Sequence, residues 1–398
     1  MSGDPFWPRP APLPAARPPR RSDVVVVGAG ITGVAILREL QRTGIGAVAL
    51  ERDHLAAGAT GRNAGFLLTG TAAHYAAAVQ AHGRAVAGEV WDFTAANHDL
   101  LLEALGPRAA RSAGHRRAGA WTLAAGAAEA LELGEAAEWL GEDGLPGTFV
   151  AAPRGAPTGC RGGLLTPRDG EIDPVTATAA LARACLTTQP GSLIEGQAVR
   201  GLEPGAQGVL VHFDHGEIHA GAVVLATNAW IAELAPQLGI QPVRAQMLAT
   251  APPQARRDPR GRPAYSHRGH RYWRRLAGGA LLLGGCREAA PEEEQSADPV
   301  PTARIQAALD RFLEADLGIE ATVTHRWAGI MGFSPDGLPL VGAVPGAPGV
   351  LVCGGYTGHG MGFAVHAARI LVRHLGAGAP IPGWLDPSRD GRLGLTPR

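Results

Sequence analysis

Residues Asp23-Val24-Val25-Val26-Val27-Gly28-Ala29-Gly30-Ile31-Thr32-Gly33 decide how this chain is read. Four consecutive valines are stiff, β-branched residues that suit a strand buried on both faces, as strands of parallel sheets are. The run passes straight into Gly28-x-Gly30-x-x-Gly33, and a helical pattern follows to about Arg42. Each glycine then has a mechanical role. The first permits the tight turn, the second lets backbone approach a pyrophosphate, and the third lets helix and strand pack closely. The helix start, which carries Ile31 and Thr32, favours an anion through its free N–H groups and its dipole. A second strand, Ala47–Leu50, ends on Glu51, 23 residues after Gly28. A carboxylate there accepts hydrogen bonds from both ribose hydroxyls of an adenosine, and it argues against the 2′-phosphate that the neighbouring Arg52 would tolerate. The unit is βαβ, which predicts a parallel sheet with a dinucleotide at its edge.

The rest of the 398-residue chain bounds what can be built around that unit. Its 36 acidic residues balance 36 basic ones, and every basic one is an arginine, because the sequence contains no lysine. A lysine Schiff base, a pyridoxal-phosphate aldimine and a P-loop lysine are therefore excluded. Zero net charge provides no field that gathers nucleic acid or acidic lipid, so no nucleic-acid partner is expected. Glycine (56) and proline (32) are abundant, yet 45% of the residues are hydrophobic, enough for an ordinary core. The length suggests two or three domains, or one domain split by insertions.

Cys160, Cys185, Cys286 and Cys353 lie far apart with no CxxC pair, which points away from disulfides and structural zinc and towards a reducing compartment. Residues 1–21 hold seven prolines and four arginines but not the apolar run of a signal peptide, so a disordered tail is expected there. No uncharged apolar stretch reaches the ~18 residues of a membrane span. The expected location is the cytoplasm.

Further elements follow from local pattern. Helices are predicted over Arg84–Leu105, between Leu123 and Leu140, from Asp173-Pro174 to about Cys185, over Arg304–Leu317 and from about Met361 to Leu375. Strands are predicted at Val209–Phe213, Val223–Ala226, Leu281–Leu283 and Val350–Cys353, and a Pro/Arg-rich loop at 252–263. NAD and FAD both use a fold of this kind, so other residues must choose between them. Gly58-Ala59-Thr60-Gly61-Arg62-Asn63-Ala64-Gly65 places small residues, a hydroxyl, an amide and a cation in one loop suited to a longer cofactor. Leu225-Ala226-Thr227-Asn228-Ala229-Trp230 ends a strand with Thr227 and Asn228 as candidate contacts. Gly354-Gly355-Tyr356-Thr357-Gly358-His359-Gly360-Met361-Gly362 opens the last helix, whose N-terminus suits negative charge on a reduced flavin ring.

Together, DVVVVGAGITG, the ALER strand end, GATGRNAG, LATNAW, WAGIMGFSPDGLPLVG and GGYTGHGMG resemble the FAD-dependent amine and amino-acid oxidoreductases. This group includes D-amino-acid oxidase, glycine oxidase and sarcosine oxidase. The resemblance runs from Asp23 to about Leu375, and the RNAG loop and GHGM turn are most like the gamma-glutamylputrescine oxidoreductase branch. It implies an α/β fold: a discontinuous FAD-binding Rossmann-like domain with a parallel central sheet (22–105, 171–235 and 326–376), and an α+β substrate domain with an antiparallel sheet (106–170 and 236–325). Residues 377–398 are expected as a C-terminal tail. By resemblance, Gly28, Gly30, Gly33 and Glu51 hold ADP, and Thr60, Arg62, Asn63 and Ala64 lie along the pyrophosphate and flavin. Val199 meets adenine through its backbone, and Gly355, Thr357, Gly358, His359, Gly360 and Met361 face the ribityl chain and the flavin pyrimidine edge.

Two departures from the family pattern narrow the chemistry. Glycine oxidase-like members carry, shortly after their WAG motif, an arginine that pairs with the substrate carboxylate. Here Trp327-Ala328-Gly329-Ile330 leads to Met331, which cannot bind a carboxylate unless Arg271, Arg274 or Arg326 supplies the clamp from elsewhere. Sarcosine oxidase-like members use a lysine over the flavin to promote reaction with oxygen, and this chain has none. Met331-Gly332-Phe333 also lacks the cysteine to which sarcosine oxidases attach flavin, so noncovalent FAD is expected.

The leading expectation is oxidation of a C–N bond in a small-molecule amine or amino-acid derivative. A neutral amine passes hydride to flavin N5, the imine hydrolyses, and oxygen or another acceptor takes the electrons. His359, expected to titrate near neutrality, is the candidate polar group at the flavin, with a simple turn cap as its plainer role. Trp327 and Met331 are candidate pocket walls, with core packing as the alternative. Tyr272 belongs to a cluster, Tyr265 to Arg274, that either lines the pocket or forms a solvated surface. A flavin dehydrogenase of a hydroxy acid or polyol is the alternative and needs a well-placed base. A nucleotide-binding protein with a regulatory or tRNA-modifying role is a third reading. His212, His215 and His219 do not share one strand face, so no metal site is expected.

Overall fold

The structure, a computed structural model, describes residues 3–154, 156–252 and 261–389. Its first sheet is organised by the valine run. Val24 and Val26 pack with Val34, Leu37, Leu181, Ala364 and Leu371 from the helices Ile31–Arg42, Pro174–Thr188 and Gly360–Ala377. Val25 and Val27 pack instead with Val48, Leu50, Val223, Leu225 and Val352 on the opposite face. A side-chain period of two, covered on both sides, requires this split.

The strand Arg21–Val27 is central. It pairs in parallel with Ala47–Leu50, Val25 opposite Val48, and with Gly216–Leu225, Val25 opposite Val223. Leu193–Ile194 and Val350–Gly354 add parallel strands on either side, and Leu340–Ala343 closes one edge antiparallel. The strands Val199–Gly205 and Gly208–Phe213 form an antiparallel meander with Gly216–Leu225, and its Val209 and Val211 help bury the second face.

Among the described residues the second sheet has eight strands. In spatial order they are Val323–Phe333, Gln241–Thr250, Leu281–Gly285, Arg271–Arg275, Ala264–Ser266, Ala120–Leu123, Gly163–Thr166 and Thr148–Val150. All neighbours are antiparallel except Ala264–Ser266 beside Ala120–Leu123. The helix Ala303–Arg311 seals one side through Ile305 and Leu309 against Leu248, Leu281 and Leu283.

Several expectations are corrected. The boundary expected at 326 falls inside the strand Val323–Phe333, which pairs along its length with Gln241–Thr250 and so belongs to the second sheet. Residues 3–20 are not a loose tail. Trp7 is buried, its indole N–H donates to the Asn63 carbonyl at 2.8 Å, and the Arg274 guanidinium lies 5.3 Å over its ring. Phe6 meets His325 edge-on, and the Leu13 N–H donates to Glu195 at 3.1 Å. Proline stiffens the segment beforehand, and the two aromatics give it something to bury.

The segment after 377 also packs: Trp384 is buried, with its indole N–H on Glu89 at 2.9 Å, and Arg389 pairs with Asp336 at 2.6 Å. The helix Arg84–Ser112 outruns its expected end at Leu105, turning through Gly106 at φ 72°. Regular helix ends earlier than expected at Arg311 and widens into a π-type turn at Phe312–Asp316. Residues 253–260 of the Pro/Arg-rich loop lie outside the described residues.

Candidate functional site

A single cavity of about 470 Å³ runs from the glycine turn of the first sheet to the face of the second. At the nucleotide end Gly28 sits at φ 100°, closed to most side chains, and its N–H donates to the Leu50 carbonyl at 2.8 Å. A Cβ on Gly33 would overlap the Gly28 carbonyl oxygen, so Gly33 serves packing and does not line the cavity. A Cβ on Gly30 would stand 3.0 Å from Thr60 Oγ1, and that hydroxyl accepts the Ile31 N–H at 3.0 Å. Glu51 is buried and accepts the N–H groups of Ala29 (2.8 Å) and Asp53 (2.9 Å). Burial raises its pKa, and those two bonds oppose the rise. A carboxylate has about four acceptor positions, so two stay open for a ribose.

Val199, Thr227, Asn228 and Trp230 continue this end of the cavity. The Arg52 guanidinium lies 4.4 Å over the Trp230 ring. Asn228 adopts φ 48°, and its Oδ1 accepts the Gly355 N–H at 3.1 Å. The Thr227 hydroxyl is buried with no partner among the described residues.

The GATGRNAG loop contains one turn of 3₁₀ helix, Ala59–Arg62. The Asn63 amide donates to the carbonyls of Ala59 and Thr60 and accepts the Gly65 N–H, so it holds the turn together. Arg62 donates to the carbonyls of Ala328 (2.8 Å) and Ala57 (3.2 Å), and the Trp327 indole N–H returns to the Arg62 carbonyl at 2.9 Å. The loop is thereby tied to the strand Val323–Phe333. Trp327 itself is fully buried and outside the cavity, so the expected pocket wall is a core residue.

At the far end Phe66, Tyr265 and Tyr272 make edge-on and tilted contacts with centroids 5.4 to 6.2 Å apart, and the His359 ring stacks on Tyr265 at 6.0 Å. Met331, Arg287, His270 and Phe333 complete the wall. His359 precedes the helix Gly360–Ala377, and its Nδ1 is buried with no partner among the described residues. Burial pushes its pKa down to about 4, not near neutrality as expected, so the ring is neutral. Thr357 (φ 48°) and Gly358 (φ 90°) form the turn before it, anchored where the Thr357 N–H donates to the Gly332 carbonyl at 2.9 Å. The Tyr356 hydroxyl lies 3.1 Å from Thr32 Oγ1, joining this turn to the first helix.

Gly28, Gly30, Ile31, Thr32, Glu51, Arg52, Thr60, Arg62, Asn63, Ala64, Val199, Thr227, Asn228, Thr357, Gly358, His359, Gly360, Met361, Met331 and Tyr272 thus line one cavity. Gly355 lies behind it. The three candidate clamps do not reach it: Arg271 is bound to Glu288, Arg326 to Asp310, and Arg274 to the carbonyls of Gly65 and Ile172. Phe66, Tyr356, Phe333 and Arg287 carry no local signal that marks them as wall residues. His212 lies against Glu203 and His215 against Gln197, so the histidine set is not brought together.

The glycine cradle, the Glu51 acceptor and the unpartnered polar atoms on Thr227 and His359 suit a dinucleotide extended by a flat, polar-edged ring. Residues 23–374 match the family model described as FAD dependent oxidoreductase. The chain belongs to this family. Glycine oxidase of Pseudomonas aeruginosa is 28% identical over 382 residues, covering 92% of this chain and 97% of its own length. The 4-methylaminobutanoate oxidase (formaldehyde-forming) of Paenarthrobacter nicotinovorans is 26% identical over 91% of this chain, which spans only 44% of that relative. Among solved structures, the L-proline dehydrogenase from P. horikoshii aligns with a TM-score of 0.73 at 22% identity, covering 93% of this chain and 97% of its own. An L-amino acid deaminase from Proteus vulgaris gives 0.74 at 21% identity, covering 97% and 99%. These likenesses show a shared fold.

As one of the FAD-dependent oxidoreductases the chain is a flavoenzyme with an α/β cofactor-binding sheet and a second, substrate-side sheet. No helix among the described residues is long and apolar enough to cross a membrane.

Proposed function

We propose that this enzyme oxidises the C–N bond of an N-substituted amine or amino-acid derivative. The observation that carries the reading is the wall facing the cofactor loop: Phe66, Tyr265, Tyr272 and Met331 with a neutral His359, and no carboxylate among the lining residues at that end. When bound, FAD supplies the two-electron acceptor. Residues 22–105, 171–235 and 334–376 then hold the cofactor, and the second sheet covers it. Glu51 and the helix start at Ile31 anchor the ADP portion, and Thr357–Met361 support the ring edge.

The aromatic walls exclude water and orient a neutral amine, whose lone pair assists departure of hydride from the adjacent carbon. The iminium product takes up water outside the redox step and separates into a carbonyl compound and the shorter amine. An alcohol is a poorer hydride donor and needs a base titrating near the working pH. His359, pushed to about 4, is too weakly basic for that role. Attachment of FAD is noncovalent in this reading, and the final acceptor is oxygen or another small oxidant.

Anaerobic stopped-flow reduction of the holoenzyme by N-methyl amines, α-amino acids and hydroxy acids tests the proposal. Bleaching by N-substituted amines, faster than by glycine or D-alanine, is expected. Bleaching by hydroxy acids but by no amine would sink it.

A further inference from the structure

Four arginines line the cavity: Arg52, Arg62, Arg200 and Arg287. Three are engaged. Arg52 lies against Asp53 and Trp230, Arg62 donates to two backbone carbonyls, and Arg200 is bound to Asp214. The Arg287 guanidinium has no hydrogen bond and no ion pair among the described residues, although its backbone carbonyl accepts the Ala290 N–H at 3.1 Å. Its guanidinium lies 5.1 Å over the Phe333 ring, at the substrate end.

The acids around Arg287 pair with other residues, although Glu294 does so through Oε1 alone. Glu288 is bound by Arg271 at 3.1 Å, and Glu294 by Arg244 (2.9 Å) and Gln246 (2.8 Å). Burial lowers the Arg287 pKa, against the pull of Glu288, Tyr272 and Glu294. A half-buried guanidinium without a hydrogen-bonding partner is costly, and the Phe333 face compensates only part of that cost. Its five donors form a fork that matches a carboxylate. Met331 and Phe333 lie on one face of their strand, two residues apart. The cation therefore lies over Phe333 on the cavity wall that Met331 also lines, delivered from just past the end of the strand Leu281–Gly285 and not from the strand Val323–Phe333.

We propose that Arg287 is the specificity-determining residue of the substrate end, where it binds a carboxylate, so that the substrate is an amine that also carries an anionic group. This rests on the amine-oxidation reading for the reacting bond, but the binding step is independent of it. The Phe66, Tyr265 and Tyr272 rings take the alkylated amine end, and Arg287 takes the charge.

The test compares matched substrates and an unreactive ligand on holoenzyme of equal FAD content. With 4-(methylamino)butanoate and its uncharged counterpart N-methylbutylamine, wild-type reduction is expected to favour the carboxylate roughly 10- to 100-fold. Arg287→Met should abolish that preference, because apparent binding of the carboxylate weakens far more than any change seen with N-methylbutylamine, and Arg287→Lys should fall between. Butanoate should perturb the flavin absorbance of the wild type and not of Arg287→Met. Equal losses on both amines in Arg287→Met, or no discrimination in the wild type, overturn the proposal. If no amine reduces the flavin but butanoate still binds through Arg287, the amine reading fails and the anion site stands.

Discussion

Glu51 is held in place before any ribose arrives, because the N–H groups of Ala29 and Asp53 fix both of its oxygens. Charge-assisted bonds of this kind contribute about 1.5–3 kcal/mol each. Glu51→Gln removes the charge and one acceptor, so FAD affinity should fall at least about tenfold, read by fluorescence titration of the apoenzyme. An unchanged affinity would contradict the proposed ribose contact. His359 makes a second claim, with a definite sign. Its folded pKa of about 4 lies below the ordinary value of 6.5. Between those values the unfolded chain binds a proton that the folded chain refuses, so the neutral ring's contribution is present above pH 6.5 and is lost as pH falls towards 4. His359→Gln should flatten the fall in melting temperature over that window and leave any inflection of flavin reduction between pH 6 and 8 where it was. A shifted inflection would show that His359 does titrate during turnover. Arg287 is the residue that sequence reading misses, because nothing local separates it from the other 35 arginines. Its distinction is the absence of a partner, which exists only once Arg271 and Arg244 have taken the acids nearby.

Elements whose signals are local were legible, and those whose signals are distant were not. The valine strand, the glycine turn and the Glu51 strand end lie within 29 residues, and the parallel pairing of the first two strands and the glycine cradle follow from them. Trp327 shows the limit. It shares a strand face with Met331, yet the Ala59–Arg62 turn lies against that face and takes the indole into the core, while Met331 stays open to the cavity. Periodicity names the face but not what covers it. The N-terminal segment hides its packing for the same reason, since its proline content says nothing of what Phe6 and Trp7 reach. Trp7 connects the cofactor loop at Asn63 to the second sheet at Arg274. Trp7→Ala should therefore cost about 3 kcal/mol of stability and also hasten loss of FAD from diluted holoenzyme. Measuring chemical denaturation and FAD release together separates an anchor of the cofactor loop from a decorative arm, which would lower neither.

At the scale of the molecule the parallel sheet and the family are readable from sequence, and the resemblance implies a second, antiparallel sheet, whereas the strand order of that second sheet is not readable. Its neighbours Ala264–Ser266 and Ala120–Leu123 share no local pattern and meet only through the chain's long-range packing. The missing lysine is a property of the whole chain with a local consequence. Reduction of oxygen by a flavin is assisted by a localised positive charge aimed at where negative charge develops. Among the cavity's groups, Arg62 has its guanidinium on two backbone carbonyls, the His359 ring is neutral, burial lowers the pKa of His270, and Arg52 and Arg200 lie at the nucleotide end. Arg287 remains, and a substrate carboxylate or its product occupies it. The reduced enzyme should accordingly react slowly with oxygen and faster with a soluble quinone. Double-mixing stopped flow, reducing first and then adding either oxidant, reads both rates. Substituting Met331 by lysine, beside the Thr357–Met361 turn, should raise the oxygen rate selectively; an oxygen rate already matching the quinone rate in the wild type would show that this cavity needs no such cation.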